Sequence, residues 1–351
     1  MKHIITITGI RPDFIRMSEI FKKLDSSSKI KHTLIHTGQH FSDQLSSIFF
    51  KDLDIRNPDL NMNVGQNSND HFDQLANLTL KIKEHQDLIR SANVVLFLGD
   101  SNSVLASIPI KKMGIKVAHI EAGMRSGDVR MLEETNRKVC DHCSSFLFTY
   151  HKNYSKNLYR EGIFKGVYTV GNTIKEVITK YAPSGQKRQA HILVDIHRPE
   201  NFLYSNRLQT IINYANEFGL HHNIPVYLLE FPRTKNAIEQ FGIDLKKIEI
   251  IPLQGFRDYL DLAYHSRLVL SDSGTAQEEL SLLKVPVVVP RDYTERPESY
   301  YSGCSVQLNA NSFSAPNCKA VLEAAHKLWY DTTWLGDGNT SDTITKTLED
   351  L

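Results

Sequence analysis

Short apolar runs alternate along the whole chain with longer stretches in which apolar residues recur every three or four positions. The runs have the length and residue types of β-strands, and the recurring spacing is typical of amphipathic helices. In the first half of the chain the runs lie at residues 3–8, 32–37, 94–98, 116–120 and 145–149. In the second half they lie at residues 166–170, 191–196, 225–229, 248–252, 267–271 and 285–289.

This alternation predicts an α/β protein whose parallel sheets are covered by helices on both faces. We expect a domain junction near Gly171, just before a polar segment at residues 183–189. The predicted domains are Rossmann-like and doubly wound, one of residues 1–170 and one of residues 171–351. The last helix could pack back on the first domain, and the two domains are expected to face each other across a cleft.

Length and charge narrow the class of protein. The chain has 351 residues, enough for two domains with separate cores, and its formal net charge is +1. This charge gives no electrostatic reason to expect nucleic acid or an acidic membrane as a partner. No apolar stretch approaches the length of a membrane span, and the start of the chain is typical of a first strand, not of a signal peptide.

The cysteines argue for a reducing compartment, because four are too few for a disulfide scaffold at this length. We therefore expect a cytoplasmic protein. Cys140 and Cys143 have the C-x-x-C spacing of zinc and redox sites. A tetrahedral zinc site needs four ligands, however, and Cys304 and Cys318 do not form a second close pair. Because Cys140 and Cys143 fall inside a helical pattern, we expect buried or half-buried helix cysteines, with a metal role as the less favoured alternative.

Three ionisable side chains follow directly on predicted strands, namely Asp100, Glu121 and His197. A fourth, Glu133, lies in a loop-like stretch ahead of a helical pattern. Ligands of parallel α/β sheets bind at the carboxyl ends of the strands. Several acid/base groups at such positions predict a reaction centre.

A loop of small residues after one predicted strand opens a helix and is the clearest ligand motif. Ser273, Gly274 and Thr275 offer hydroxyls and backbone N–H groups at a helix N-terminus, which suits a diphosphate. The alternative is an ordinary N-cap, with Glu278 or Glu279 completing a capping box. A carboxylate beside a phosphate would repel it, so we expect Glu279 to accept hydrogen bonds from ribose hydroxyls.

Arginines follow the first and the last predicted strands. Arg11 is predicted to face a phosphate, since guanidinium groups pair well with phosphate oxygens, and Arg16 is left open. The segment from Arg291 to Glu298 holds Arg296 as well, and its alternative interpretation is a charged surface loop. The chain lacks G-x-G-x-x-G, G-x-x-x-x-G-K-[ST] and G-x-S-x-G, so nicotinamide, P-loop and serine-hydrolase functions lose support.

Taken together, the motifs resemble the non-hydrolysing UDP-N-acetylglucosamine 2-epimerase family over nearly the whole chain. They occur in the family's order: Gly9-Ile-Arg-Pro12, His36-Thr-Gly-Gln-His40, Gly99-Asp100, His119-Ile-Glu-Ala-Gly-Met-Arg125, Glu133-Glu-Thr-Asn-Arg137, Gly171-Asn-Thr173, His197-Arg-Pro-Glu-Asn201, Asp272-Ser-Gly274, Gln277-Glu-Glu279 and Thr294-Glu-Arg-Pro-Glu298.

The resemblance implies the fold of the two-domain B-type glycosyltransferases, with an active site in the cleft, and a family that tends to be dimeric. It also implies inversion at C2 of a UDP-linked 2-acetamido sugar. UDP is eliminated to give a 2-acetamidoglucal and then adds back with the other configuration. A carboxylate takes the C2 proton while arginines and helix N-termini stabilise the departing diphosphate, so no cofactor is required.

Residue by residue, the resemblance implies two sets of side chains. The catalytic set is Asp100, Glu121, Glu133 and His197. Which acid serves which face of the sugar is left open, and His197 is expected to orient or stabilise the sugar diphosphate. The substrate-binding set is Arg11, Arg137, Tyr259, Ser273, Gly274, Thr275, Glu279 and Arg296. Tyr259 corresponds to an aromatic position near the uracil, and its alternative is a core tyrosine.

Several departures from the commonest members point to one branch of the family. The segments that carry them are Phe49-Phe-Lys-Asp-Leu-Asp-Ile55, Gly99-Asp-Ser-Asn-Ser-Val-Leu-Ala106, Pro232-Arg-Thr234, Gly255-Phe-Arg-Asp-Tyr259 and Ser271-Asp-Ser-Gly-Thr275. They look like the branch acting on UDP-2-acetamido-2,6-dideoxy-L-hexoses, which serves synthesis of L-fucosamine, L-rhamnosamine or L-quinovosamine. Leu132 and Phe231 stand where other members have a proline and a histidine, and an apolar residue such as Leu132 suits a 6-deoxy sugar.

Four alternatives remain open. The first is interconversion of UDP-N-acetylglucosamine and UDP-N-acetylmannosamine, and the second is a hydrolysing epimerase that releases the free sugar. A glycosyltransferase of the same fold is a third, since fold does not fix function. The last is a UDP-sugar binder without activity, which would tolerate loss of the acids.

We predict weak or absent activation by substrate. Some members of the family bind a second UDP-N-acetylglucosamine beside the active site, around the Gln-His of the second-strand loop. Here that loop reads Gln39-His-Phe-Ser42, and the segment from Gly65 to Asp70 lacks the arginine expected nearby. Initial-rate kinetics should therefore be hyperbolic, and a sigmoidal curve that UDP-N-acetylglucosamine sharpens would contradict this.

Overall fold

The first part of the chain is built on a parallel sheet. The structure, a computed structural model, describes residues 1–38, 50–65 and 70–351. Within these residues the first sheet has seven strands in the order β3-β2-β1-β4-β5-β6-β7. The strands are β1 (Lys2–Thr8), β2 (Ile30–His36), β3 (Leu60–Asn61), β4 (Val94–Leu98), β5 (Lys116–Ile120), β6 (Phe146–Thr149) and β7 (Val167–Thr169).

A second parallel sheet follows, and it lies in residues 178–334, all of which are described. Its six strands have the order β10-β9-β8-β11-β12-β13. They are β8 (His191–Asp195), β9 (Val226–Leu229), β10 (Ile248–Ile251), β11 (Ser266–Ser271), β12 (Val287–Val289) and β13 (Ser305–Gln307). Both sheets thus repeat the 3-2-1-4-5-6 order of Rossmann folds, and the predicted fold class is confirmed.

Helices connect the strands, as parallel pairing requires. The α-helices of the described residues are α1 (Arg11–Ser26), α2 (His71–Glu84), α3 (Gln86–Arg90), α4 (Ser107–Lys112), α5 (Glu133–Cys143), α6 (Lys152–Arg160), α7 (Ile174–Tyr181), α8 (Pro199–Phe202), α9 (Ser205–His222), α10 (Pro232–Phe241), α11 (Phe256–Tyr264), α12 (Gly274–Leu283), α13 (Glu298–Tyr301), α14 (Ala315–His326) and α15 (Thr340–Glu349). Two 3₁₀ turns lie at Asn102–Ala106 and Thr333–Leu335.

The central strands are apolar because helices cover both of their faces. All five residues of β4 are buried, and so are all five of β8. The order of residues across the sheet is fixed by parallel register, in which Leu98 of β4 lies opposite Ile120 of β5. Polar residues that follow these strands are therefore brought to one edge of the sheet.

The chain divides into two units, which we call the first unit (Met1–Val177 with Leu335–Leu351) and the second unit (Ile178–Trp334). Helix α15 belongs to the first unit and packs beside α1. There the Asp342 carboxylate lies 2.7 Å from the Lys23 ammonium, and the Thr340 hydroxyl donates to the carbonyl of Val170 at 2.9 Å.

The sequence pattern did not predict β3 or β13. These strands have two and three residues and lie at the edges of their sheets, so neither has an apolar run long enough to stand out. The helical pattern at 72–89 is divided between α2 and α3. The segments behind the activation prediction, 39–42 and most of 65–70, lie outside the described residues. No helix of the described residues is long and apolar enough to cross a membrane.

Candidate active site

In the first unit, the predicted acids lie at the point where the strand order reverses. Strands β1 and β4 are neighbours there, and β5 lies beside β4. Asp100 and Glu121 follow β4 and β5, so both come to the same edge of the sheet. This is the position at which doubly wound folds bind ligands.

Glu121 is held between two guanidinium groups. Its Oε2 accepts a hydrogen bond from Nη1 of Arg16, and its Oε1 lies 3.6 Å from Nη2 of Arg137. All three side chains are buried. The backbone of Glu121 has φ of 72°, a left-handed conformation that costs roughly 1–2 kcal/mol for a residue with a Cβ atom.

Asp100 joins the same network from the neighbouring strand end. One of its carboxylate oxygens accepts a hydrogen bond from Nη2 of Arg137. Gly99, just before it, has φ of 78°, and a Cβ atom there would lie 3.0 Å from Nη2 of Arg16. The glycine therefore leaves the space that the Arg16 guanidinium occupies.

The cluster carries more carboxylates than guanidiniums. Asp13 accepts hydrogen bonds from the backbone N–H groups of Gly9 at 3.0 Å and Ile10 at 3.2 Å, and its other oxygen lies 3.9 Å from Arg16. Burial raises the pKa of Asp13 to about 6, with a further contribution from Asp100, although Arg16 opposes the rise. Such a cluster would repel a diphosphate and suits proton transfer instead.

A buried histidine fixes the two strand ends relative to α5. Nδ1 of His119 lies 2.7 Å from Oδ1 of Asp141, and its Nε2 lies 2.8 Å from the carbonyl oxygen of Gly99. Since both ring nitrogens face acceptors, both must donate. Burial opposes the charge, but the neighbouring Cys140 and Asp141 outweigh it and raise the pKa of His119 to about 10.

Glu133 is the first residue of α5, so it lies in the helix and not in the loop-like stretch expected from sequence. It is half-buried and lies one turn before Arg137, on the same side of the helix. The next residue, Glu134, accepts hydrogen bonds from the backbone N–H of Ser126 at 2.9 Å and from its hydroxyl at 3.1 Å. Glu134 thereby connects the preceding loop to the start of α5. Leu132, the residue before Glu133, is 66% exposed.

In the second unit, His197 lies where the strand order reverses between β8 and β11. Its Nδ1 lies 3.0 Å from Oδ1 of Asp195 and 3.5 Å from Oδ1 of Asp272. Asp272 also accepts the backbone N–H of His197 at 3.0 Å. Burial disfavours the charged ring, but Asp272 and Asp195 outweigh it, so the pKa of His197 is raised. The His197 side chain is 30% exposed, and in the protonated ring that the raised pKa favours, Nε2 is a hydrogen-bond donor.

The start of α12 is not an ordinary N-cap. Ser273 occupies the N-cap position, but its side chain makes no capping hydrogen bond, and its hydroxyl lies 3.1 Å from that of Thr275. Glu278 does not complete a capping box either, since it accepts Nε of Arg296 at 2.6 Å. A Cβ atom on Gly274 would lie 2.5 Å from Nη1 of Arg296, so the glycine lets the guanidinium approach the helix start.

The segment after β12 is not a charged surface loop, the alternative considered from sequence. Arg291 and Arg296 are 1% and 2% exposed. Nη1 of Arg296 donates to Oε1 of Glu295 at 2.6 Å, and Nη1 of Arg291 donates to Oε2 of the same residue at 3.2 Å. Buried ion pairs of this kind hold a loop in one conformation.

Tyr259 and Glu279 lie in one polar environment of the second unit. The pKa of Tyr259 is raised well above its usual value by burial and then by the carboxylates of Asp195 and Glu279. The phenol therefore stays neutral and can donate a hydrogen bond. Glu279 is buried on α12.

The structure therefore groups the predicted residues by unit. Asp100, Glu121 and Arg137 form one network in the first unit. Arg11 begins α1 in that unit and is half-buried, and burial lowers its pKa. The second unit carries the remaining predicted residues, which are His197, Tyr259, Ser273, Gly274, Thr275, Glu279 and Arg296.

Sequence reasoning assigned no role to Asp13, His119 or Asp195. His119 and Asp195 stand at or beside the end of a strand, which is the signal that could have found them, whereas Asp13 lies inside α1. Cys140 is buried in α5 and Cys143 is half-buried, as the helical pattern predicts. Within the described residues no group of three or more histidine, cysteine or carboxylate side chains has a metal-binding arrangement.

Comparison with known proteins identifies the family. The model of the family described as UDP-N-acetylglucosamine 2-epimerase matches residues 22–349. A UDP-N-acetylglucosamine 2-epimerase of Methanococcus maripaludis is 34% identical over 358 aligned positions, which cover 96% of both proteins. A UDP-2,3-diacetamido-2,3-dideoxy-D-glucuronate 2-epimerase of Pseudomonas aeruginosa is 34% identical over 322 positions and 88% of both proteins.

A solved structure agrees with these relatives. The crystal structure of Methanocaldococcus jannaschii UDP-GlcNAc 2-epimerase in complex with UDP-GlcNAc and UDP is similar to this protein with a TM-score of 0.87 and 32% sequence identity, and each chain is covered in full, 100%. The protein is an isomerase that belongs to the UDP-N-acetylglucosamine 2-epimerase family.

Proposed function

We propose that the protein inverts C2 of a UDP-linked 2-acetamido sugar by elimination and re-addition of UDP. In the first step a carboxylate takes the C2 proton, the C–H electron pair forms the C1=C2 bond, and the C1–O bond breaks toward UDP. In the second step a UDP oxygen attacks C1, and C2 receives a proton on the opposite face. Nothing is oxidised or reduced overall.

The network of Asp100, Glu121 and Arg137 is the observation that carries this proposal. Two carboxylates with separate positions could serve the two faces of C2, and Arg137 contacts both of them. A proton transfer needs its base and acid within hydrogen-bonding reach of the reacting carbon, and a fixed guanidinium holds them at a constant spacing. Glu133, one turn from Arg137, is proposed as a third member of this set.

The second unit supports the other half of the reaction, because it suits an anion. The uncapped helix start at Gly274 offers N–H groups, the guanidinium of Arg296 lies close to it, and His197 adds a donor whose raised pKa favours the protonated ring. We propose that these groups bind the diphosphate, with Arg11 and Thr275 as further contacts. Hydrogen-bond donors that are already in position would then stabilise the negative charge that develops on the departing UDP. Tyr259 and Glu279 are proposed to hold the uridine.

For the substrate, we propose a UDP-2-acetamido-2,6-dideoxy-L-hexose, of the L-rhamnosamine, L-quinovosamine or L-fucosamine type. Two apolar residues at positions of departure support this substrate. Leu132 is exposed directly before Glu133, and the ring of Phe231 lies 4.7 Å from that of His197. The two relatives at 34% identity are named for different substrates. Sequence identity therefore does not decide between UDP-N-acetylglucosamine and a 6-deoxy sugar as the substrate.

We propose a cytoplasmic location, which the four free cysteines support.

We also propose a homodimer, because Phe72 and Leu80 on α2 are 82% and 63% exposed on one face. Sedimentation velocity measures this association, and a monomer at micromolar concentration would contradict it.

Loss of either central carboxylate should abolish turnover but leave UDP binding intact. For Asp100→Asn and Glu121→Gln we expect kcat to fall by about 10²–10⁴-fold, because each removes a proton-transfer group. In deuterium oxide the wild type should place deuterium at C2, which mass spectrometry and proton NMR detect. Glu84→Gln, an exposed carboxylate on α2, serves as the matched control. Wild-type turnover without C2 deuterium would contradict the mechanism, and net release of UDP would indicate a hydrolysing enzyme.

The substrate proposal predicts a preference within a panel of UDP-amino sugars. The kcat/KM for a UDP-2-acetamido-2,6-dideoxy-L-hexose should exceed that for UDP-N-acetylglucosamine by about tenfold or more, since an apolar neighbour such as Leu132 would leave a C6 hydroxyl without a partner. Proton NMR of the anomeric signal follows each reaction, with UDP-glucose as the control that lacks the acetamido group. If the protein turned over UDP-N-acetylglucosamine but none of the 6-deoxy L-sugars, the substrate proposal would be wrong. The proposed reaction type would be unaffected.

UDP affinity should weaken as pH rises through the raised pKa of His197. Below that pKa the imidazolium donates to phosphate, and above it the neutral ring loses a charge-assisted hydrogen bond, which corresponds to about tenfold in Kd. Asp195→Asn removes one of the carboxylates that raise the pKa, so the transition should move to lower pH. Isothermal titration calorimetry across the neutral range measures both effects. His142→Gln is the control, and a His197→Asn variant with an unchanged transition would refute the assignment.

A further inference from the structure

A cavity lies in the second unit, on the opposite edge of its sheet from the residues discussed so far. It has a volume of about 660 Å³ and is lined by residues at or before the amino ends of β8, β11 and β12. Gln189, Arg267 and Pro286 mark these three strand ends. None of the residues assigned above to the reaction or to UDP lines this cavity, so an inference from it does not rest on the proposed function.

The cavity is strongly basic. Five lysine and arginine side chains and three histidines line it, against a single carboxylate, that of Glu323. Glu323 lies 4.0 Å from Lys319, at the outer limit of an ion pair, and both side chains are more than half exposed. Glu323 is thus the one carboxylate that the lining sets against its five lysine and arginine side chains.

Two of the basic groups are fixed at the end of α12. The ammonium of Lys187 donates to the carbonyl oxygens of Leu283 at 2.6 Å and Lys284 at 2.5 Å. Lys284 itself has φ of 52° at the C-cap, where glycine or asparagine is usual. A lysine at this strained position puts a further positive charge at the rim of the cavity.

The cations of the cavity repel one another. Burial lowers the pKa of His222, and the charges of Arg267, His221 and His326 lower it further. Burial lowers the pKa of Lys187 as well, with Lys284 as the second cause. An anion within the cavity would relieve this repulsion, since opposite charges a few ångströms apart favour the charged forms.

Most of the remaining lining is apolar. Leu268, Val285 and Leu322 are buried, and Tyr330 adds a half-buried aromatic ring. Concave sites of several hundred Å³ with apolar walls and a few placed charges are typical of small-molecule ligands, whereas a flat bilayer surface does not fit a concavity. We propose that this cavity binds an organic phosphate, a small ligand with a phosphate or diphosphate group and a ring or other apolar body.

Pyridoxal 5′-phosphate tests the proposal because it is itself an aromatic phosphate. Its aldehyde condenses with a lysine amine with loss of water, and borohydride reduces the resulting imine to a stable amine. The labelling is done on the full chain with UDP at saturation, so that the proposed nucleotide site is occupied. Peptide mass spectrometry should find Lys284 and Lys327 labelled about tenfold faster than Lys246 and Lys247, exposed lysines of the same unit. Inorganic pyrophosphate should protect only the cavity lysines.

The binding of pyrophosphate to variants of the cavity is the second measurement. Arg267→Gln with Lys284→Gln should weaken binding of pyrophosphate in the presence of UDP by about tenfold in equilibrium dialysis, and the affinity of the wild type should fall with added salt. Lys246→Gln with Lys247→Gln changes the same charge elsewhere and should bind as the wild type does. Turnover of the UDP-sugar checks that each variant is folded, and circular dichroism does so if no turnover is found.

Three results would overturn the proposal. They are uniform labelling of surface lysines, equal pyrophosphate binding by the two double variants, and no saturable binding of pyrophosphate or pyridoxal 5′-phosphate by the wild type. Co-sedimentation with vesicles that contain phosphatidylglycerol, lost in the Arg267 and Lys284 variant, would assign the patch to a membrane surface and would also refute a small ligand. Failure of epimerisation alone would leave labelling and protection unchanged.

Discussion

Glu121 lies between the guanidinium groups of Arg16 and Arg137, with Asp100 on the far side of Arg137, and these contacts fix the first unit's candidate site. A buried charge without a partner is strongly destabilising, so none of these groups can be removed without leaving its neighbour uncompensated. The network thus sets the spacing of the acids as well as their number. His119 adds a second constraint, because it joins the end of β4 to α5 through Gly99 and Asp141.

The two units share a strand order and differ in the groups at their switch points. The first gathers carboxylates around two arginines, and the second combines an uncapped helix start with Arg296 and a histidine of raised pKa. In the proposed reaction, proton transfer at carbon needs the acids, whereas a diphosphate needs hydrogen-bond donors. One fold, used twice, therefore presents two different sets of groups.

Strand ends could be predicted from the sequence because apolar runs of four or more residues stop there, and this placed Asp100, Glu121 and His197 correctly. The contacts between side chains could not be predicted from the sequence. Arg16 and Glu121 are 105 positions apart, and no local pattern shows that α1 brings one to the other. The start of α5 was placed too late because Leu132 is a poor N-cap residue and gives no boundary signal. Arg291 and Arg296 resembled a surface loop because acids beside arginines look the same in sequence whether they are exposed or buried.

The backbone of Glu121 has a further consequence for how this chain can change. Its positive φ is a conformation that glycine adopts without strain and that a residue with a Cβ atom does not. Glycine at this position would relieve the backbone strain but would leave the buried guanidinium groups of Arg16 and Arg137 without the carboxylate between them. The backbone and the ion pairs therefore favour different residues at position 121, and a substitution there exchanges one cost for the other.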